Sequence, residues 1–164
     1  MESENKKQEL QNLILSAYSS LSDPDFSFVE KALKNRPYNL LIEQLSNCFV
    51  IEELTDPNED VCFRYLLKNA DQNWVLELSM LGKFAVVLSI LEGGEANLID
   101  GKTDVLEEVT ILSLLNNNEF ALLGREELEE PIDLVLHYTE KKNTCIYHAM
   151  FSDLDIRPWE SKNA

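Results

Sequence analysis

The segment Ala96-Asn97-Leu98-Ile99-Asp100-Gly101-Lys102-Thr103 fits a relaxed phosphate-loop pattern, with Ala in place of the first Gly. In such loops backbone N–H groups cradle phosphate, the Lys reaches the outer phosphates and the Thr hydroxyl binds magnesium. Three features oppose nucleotide binding through Lys102. Leu98, Ile99 and Asp100 occupy the loop interior, where small uncharged residues are needed. The preceding apolar run stops near Leu91, too far upstream. The strand links nearby are too short for the parallel crossovers of a nucleotide-binding fold. The expectation is a surface turn followed by a helix cap, which leaves a nucleotide-binding enzyme as the third of three functional readings.

His137 and His148 are the two histidines. With a turn at 140–143, a hairpin would place both on one face with Asp133, a donor set that suits a divalent metal. Diagonal sheet positions need not converge, so no metal site and no cofactor are expected. Cys48, Cys62 and Cys145 are too few and too widely spaced for a disulfide framework or a zinc set. Cys62 and Cys145 lie in apolar runs and are expected in the core. A reactive thiol needs a cationic neighbour, and only Cys145 has histidines nearby. No Ser stands in a nucleophile-elbow context. With no motif that names a reaction, the chain is expected not to be an enzyme.

The carboxylates are the most abundant chemical groups. The chain has 30 Asp+Glu against 14 Lys+Arg, a formal charge of −16 over 164 residues. Glu52, Glu53, Asp56, Glu59 and Asp60 form one group, and Glu126, Glu127, Glu129, Glu130 and Asp133 form another. Asp153, Asp155 and Glu160 form a third. Acid–base catalysis would need a pocket that separates the pKa values of a carboxylate pair, and no sequence feature announces one. As a set, the first two groups suit an electrostatic docking surface, since clustered charge steers an oppositely charged partner. Nucleic acid and anionic membranes would be repelled, so the expected partner is a basic protein.

These groups must be positioned by a folded framework, and 45% hydrophobic residues with only five Gly and five Pro are enough for one. The apolar runs are too short to span a bilayer, and the N-terminal stretch lacks the apolar segment of a signal peptide, so a reduced cytoplasmic setting is expected. Leu10, Leu13, Ile14, Ala17 and Leu21 form one apolar stripe, which predicts a helix over 6–20. A second helix is predicted over 26–35, stopped by Pro37, and 38–47 could form a short third. Cys48–Leu54 is read as a strand. Val61, Phe63, Tyr65 and Leu67 alternate with polar neighbours, as do Trp74, Leu76, Leu78 and Met80 with Glu77 and Ser79, so each predicts a strand with one buried face. Phe84–Leu91 is apolar throughout and is expected to be a central strand covered on both faces.

Thr103-Asp104 then reads as the start of a helix to about Leu115. Ile132, Leu134, Leu136 and Tyr138, and after them Cys145, Tyr147, Ala149 and Phe151, alternate as a second hairpin. A competing pattern makes 126–138 a helix, but puts Pro131 in its interior. Trp74 is expected in the core, and Trp159 to pack back on the domain. The expected fold is therefore a single α+β domain over 1–164, frayed at 1–5 and 162–164. An antiparallel β-meander and a C-terminal hairpin would be packed by N-terminal and central helices.

The run Trp74-Val-Leu-Glu-Leu-Ser-Met-Leu-Gly-Lys-Phe-Ala resembles the strand–Gly–strand core of small bacterial immunity proteins against polymorphic or contact-dependent toxins. Thr144-Cys-Ile-Tyr-His-Ala-Met-Phe-Ser-Asp and Asp155-Ile-Arg-Pro-Trp159 look like the C-terminal strand and tail of some of them. The resemblance covers a minor part of the chain and carries over a class, with no specific residues. It implies a cytosolic, often acidic inhibitor that occludes the active site of a toxin such as a basic nuclease. The charge argument points to the same kind of partner. A secretion chaperone for an exported effector, similarly small, acidic and α+β, is the second reading. It would need an exposed apolar surface for its client.

Overall fold

The computed structural model describes residues 2–160, so the fraying expected at 162–164 lies outside the described residues. Helix α1 (Glu2–Tyr18) begins inside the stretch expected to fray at the N-terminus and buries Leu10, Ile14 and Tyr18. Helix α2 (Ser27–Asn35) ends where Arg36 turns left-handed, with φ of 45°, and donates its N–H to Ala32 O, directly before Pro37. The open 38–47 segment is a helix, α3 (Asn39–Ser46), which buries Leu41 and Leu45.

Five strands follow as a meander: β1 (Val50–Glu53), β2 (Cys62–Asn69), β3 (Gln72–Ser79), β4 (Phe84–Ile90) and β5 (Ala96–Leu98). They lie side by side in sequence order, each antiparallel to the next. Helix α4 (Leu106–Asn117) then returns the chain to β4, where β6 (Ala121–Leu122) pairs in parallel with Phe84 and Ala85. The remainder is short: α5 (Arg125–Leu128), a 3-10 turn at Lys141–Asn143, and α6 (Ile146–Met150). The class is α+β, as the order of elements predicted.

The sheet is covered on both faces. Phe63, Tyr65, Leu67, Trp74, Leu76, Leu78, Ala85 and Val87 share one core with α3 and α4. Cys62, Val86 and Leu88 face a second core, built from α1, α5, α6 and the chain around them. This overturns the expectation that β2 and β3 bury one face only. It bears out β4 as a central strand. Trp74 and Trp159 are both buried, the latter with its ring edge-on to Tyr147 at 4.9 Å.

The C-terminal hairpin does not form. Residues 132–138 lack strand pairing beyond a bridge from Pro131 to Cys145, and 146–150 are helical. The competing 126–138 helix fails too, since α5 stops at Leu128, three residues before Pro131. The alternation in both segments is real but reports burial at a crowded surface. Ile132 and Leu134 sink into the core beside α1, and all five residues of α6 are buried, so no polar face exposes its helical period. The predicted helix start at Thr103 also moves. Thr103 Oγ1 accepts from Val105 N–H at 3.1 Å, and α4 begins at Leu106.

Candidate functional site

Arg64 and Glu77 stand opposite each other on β2 and β3, on the sheet face beneath α6. The Arg64 guanidinium donates from Nε to Glu77 Oε2 at 3.0 Å and from Nη1 to Asp60 Oδ2 at 2.6 Å. Tyr147 Oη donates to Glu77 Oε1 at 2.9 Å, and Ser152 Oγ to Asp60 Oδ1 at 2.7 Å. Burial disfavours the charged guanidinium, but Glu77 and Asp60 outweigh it and raise its pKa. Burial also pushes the Glu77 carboxyl up, against the opposing pull of Arg64 and Tyr147. Ionised groups this deep require partners, and each carboxylate here has at least two, although Arg64 Nη2 is buried without one.

This network fixes a surface turn. Asp60 Oδ2 also accepts the N–H of Asp56 at 2.8 Å, and Asp56 Oδ1 accepts that of Asn58 at 3.0 Å. The chain at 59–61 pairs with 151–153 through Asp153 N–H to Glu59 O and Val61 N–H to Phe151 O, each 2.9 Å. Asp153 in turn holds a second segment. Its Oδ2 accepts the N–H groups of His137 and Tyr138 at 3.0 and 2.9 Å, and its Oδ1 that of Thr139 at 2.8 Å. The turn, the 136–138 segment and α2 enclose a cleft of about 630 Å³. Val29, Leu33, Val61 and Leu136 give it apolar walls, and Tyr18, His148 and Asp153 line its depth. Glu30 and Glu59 face it as carboxylates without an ion pair among the described residues. His137 stacks on Phe26 at 5.3 Å, and Tyr138 stands exposed beside it.

His148 is buried on α6. Its Nδ1 accepts the N–H of Cys145 at 3.1 Å and lies 3.3 Å from Cys145 Sγ. Its Nε2 is buried without a hydrogen-bond partner. Burial lowers the imidazole pKa. Burial likewise raises the Cys145 thiol, although backbone N–H groups and Arg157 oppose this. Both shifts favour the neutral pair, which leaves Cys145 as a helix-capping thiol rather than a thiolate nucleophile. Cys62 is buried, as expected, and Cys48 is exposed.

The structure separates the residues that the sequence grouped. Asp133 points to Lys141 at 3.8 Å, while His137 and His148 both line the cleft without it. Among the described residues no three His, Cys, Asp or Glu side chains are placed to hold a metal. Residues 96–98 form a strand rather than a phosphate loop, with Ile99 N–H donating to Val87 O and Lys102 N–H to Asp100 Oδ1. Those donors are therefore occupied internally.

The acidic groups divide in the same way. Glu126 and Glu130 pair with Lys7, and Glu127 with Lys6, which ties α5 to α1. Glu129 accepts Trp159 Nε1 at 2.7 Å and lies near Arg125 and Arg157. Glu52 pairs with Lys68, and Glu53 accepts two hydrogen bonds from Arg36. Asp60 is only 1% exposed. Glu30, the 136–138 segment and the bracing role of Asp153 were not legible as a site. The Arg64–Glu77 pair was missed as well; the signal that could have found it is the two-residue turn at Ala70-Asp71, which puts Arg64 opposite Glu77 and so pairs two charges on one sheet face.

No helix among the described residues is long and apolar enough to cross a membrane. No protein-family model, curated protein or solved structure compared with this chain matches it.

Proposed function

We propose that this chain is a cytoplasmic protein-binding module that neutralises a basic protein, in the manner of a toxin-immunity protein that covers its toxin's active surface. One observation carries this reading: the acidity greatly exceeds what the fold uses. Lys31, Lys34 and Lys102 are the only described basic side chains outside an ion pair, so the remaining carboxylates have almost no internal cation to meet. A net charge of −16 on a packed scaffold repels nucleic acid and draws in a cationic surface. The docking surface favoured is the turn at 52–60 with the adjoining cleft. Asp60 serves that surface from the interior by holding the turn. Glu52 and Glu53 already meet Lys68 and Arg36, and Glu126, Glu127, Glu130 and Asp133 meet Lys7, Lys6 and Lys141, so a partner's cations would compete with these ion pairs.

The test is to isolate the cognate protein from the native host and titrate it by calorimetry at low and high salt. The expected result is one-to-one binding whose affinity falls steeply as the screening length shortens from about 10 Å at 0.1 M salt to about 3 Å at 1 M. Binding that ignores salt, or a partner that is not basic, refutes the reading.

One observation favours the chaperone as a second reading. Leu91, Val105, Leu106 and Val109 are exposed, and Leu91 and Val105 line a common cleft beside the start of α4. Unfolded clients bind such surfaces, usually across a dimer. Sedimentation decides this point, since a stable monomer excludes a dimeric chaperone.

A further inference from the structure

The cleft between α2, the 56–60 turn and the 136–138 segment differs from the rest of the acidic surface. It is a concavity of about 630 Å³ rather than a convex turn. Its carboxylates Glu30 and Glu59 stand over apolar walls. Its floor is closed by His148, a buried side chain whose Nε2 has no hydrogen-bond partner. Two of its walls are braced by hydrogen bonds, the turn by Asp60 and the 136–138 segment by Asp153.

We propose that this cleft is the anchor site for an arginine-bearing segment of the basic partner. The inference rests on the binding function proposed above and deepens it. An arginine in its peptide supplies each thing the cleft lacks. The guanidinium answers Glu30 and Glu59, and its planar face matches the exposed rings of His137 and Tyr138. The aliphatic stem packs on Val29, Leu33 and Leu136. Lysine would satisfy the charge but not the stacking. A purely apolar residue would leave two carboxylates desolvated against it, which is unfavourable.

Other groups near the cleft do not cancel this charge. Asp60 shares the Arg64 cation with Glu77, and Asp153 is compensated by three backbone N–H groups. Lys31 and Lys34 lie on α2 but do not line the cleft.

The experiment uses the full chain and three probes: acetyl-Gly-Arg-Gly-amide, the same peptide with citrulline, a neutral isostere of arginine, and the same peptide with norleucine. Amide chemical shifts are followed by NMR during titration. The arginine peptide should give saturable shifts at residues 29–33, 57–61 and 136–139. The citrulline peptide should bind about 2- to 30-fold more weakly, the range expected for losing two partly exposed charge pairs. The double variant Glu30→Gln/Glu59→Gln, which changes no hydrogen bond of the fold described above, should erase that difference. Equal binding of arginine and citrulline, saturation elsewhere, or no saturation overturns the proposal. A cognate basic protein that binds the double variant as tightly as the parent refutes the anchor while leaving the binding function. Saturable arginine binding at the cleft in a chain whose partner is not basic upholds the cleft as an arginine site and refutes that function.

Discussion

Replacing Arg64 by Met tests whether the buried network holds the molecule together. The Met stem fills most of the space but removes the cation shared by Asp60 and Glu77, which are 1% exposed each. Breaking one side of a buried ion pair costs about 3–5 kcal/mol, because a charge is left without compensation. In a chain of this length each kcal/mol lowers the melting temperature by roughly 2–4 °C, so a fall of roughly 6–20 °C is expected. The effect has a pH signature. Burial already raises Glu77 above its ordinary 4.5, and loss of Arg64 removes a group that opposes this shift. A carboxyl whose folded pKa is raised holds its proton better in the native state, so stability is lost as pH rises from the unfolded value through the folded one. The Arg64→Met penalty should therefore be larger near pH 7 than near pH 5. The assay is denaturant unfolding followed by the fluorescence of buried Trp74 and Trp159, repeated at both pH values. A loss below about 1 kcal/mol, the size of an exposed ion pair, or a penalty that grows in acid, would refute the argument that these charges are interior and mutually dependent.

Three further outcomes are expected. Asp153→Ala removes the acceptor of three backbone N–H groups and should cost about 1.5–3 kcal/mol, with faster hydrogen exchange at His137, Tyr138 and Thr139 but not in β3. His148 is held below its ordinary 6.5 by burial. The unfolded chain then binds its proton first, so its contribution is intact above about pH 6.5 and is lost as pH falls through the folded value; the melting temperature of His148→Asn, which keeps an acceptor for Cys145 N–H, should decline less over that interval. Ala70 adopts φ of 53° between β2 and β3, and Ala70→Gly should stabilise the fold by about 0.5–1 kcal/mol, read from the denaturation midpoint.

Legibility of this chain in its sequence followed the balance between local pattern and distant packing. The helix at 27–35 and the strands at 62–69, 72–79 and 84–90 were legible because each carries an apolar pattern bounded by a turn or proline, whereas 39–46 stayed ambiguous in the sequence and is a helix in the structure. Residues 132–138 were misread because alternate residues are buried along an extended segment that has no strand partner, and 146–150 because every residue there is buried. In α6 even His148 is buried, so alternation and helical spacing fit equally well. Glu77 misled in the opposite direction: its polar side chain marked a solvent face, yet Arg64, Tyr147 and α6 cover it. The charge clusters were legible as composition but not as a surface. Whether a carboxylate faces solvent or a lysine depends on contacts such as Lys7 with Glu126 and Glu130, more than a hundred residues apart in sequence.

The interior charges and the surface charges are connected through the cleft. An isosteric apolar cluster at Asp60, Arg64 and Glu77 could be at least as stable, since desolvation offsets much of the attraction between buried ions. It could not hold the 56–60 turn by the same hydrogen bonds. Asp60 joins the Arg64 guanidinium, the Asp56 N–H and the Ser152 hydroxyl, so one side chain links the sheet, the turn and the chain after α6. Asp153, one residue beyond Ser152, extends that link to the opposite wall at 137–139. Both walls of the cleft thus depend on consecutive residues of a single strap. Rigid walls lower the ordering entropy lost on binding, which is where a preformed site gains affinity over a flexible acidic loop. It follows that Ser152→Ala, far from any partner, should weaken binding of the arginine peptide through increased mobility of the turn. Charge reversal at Glu126 should leave that binding unchanged.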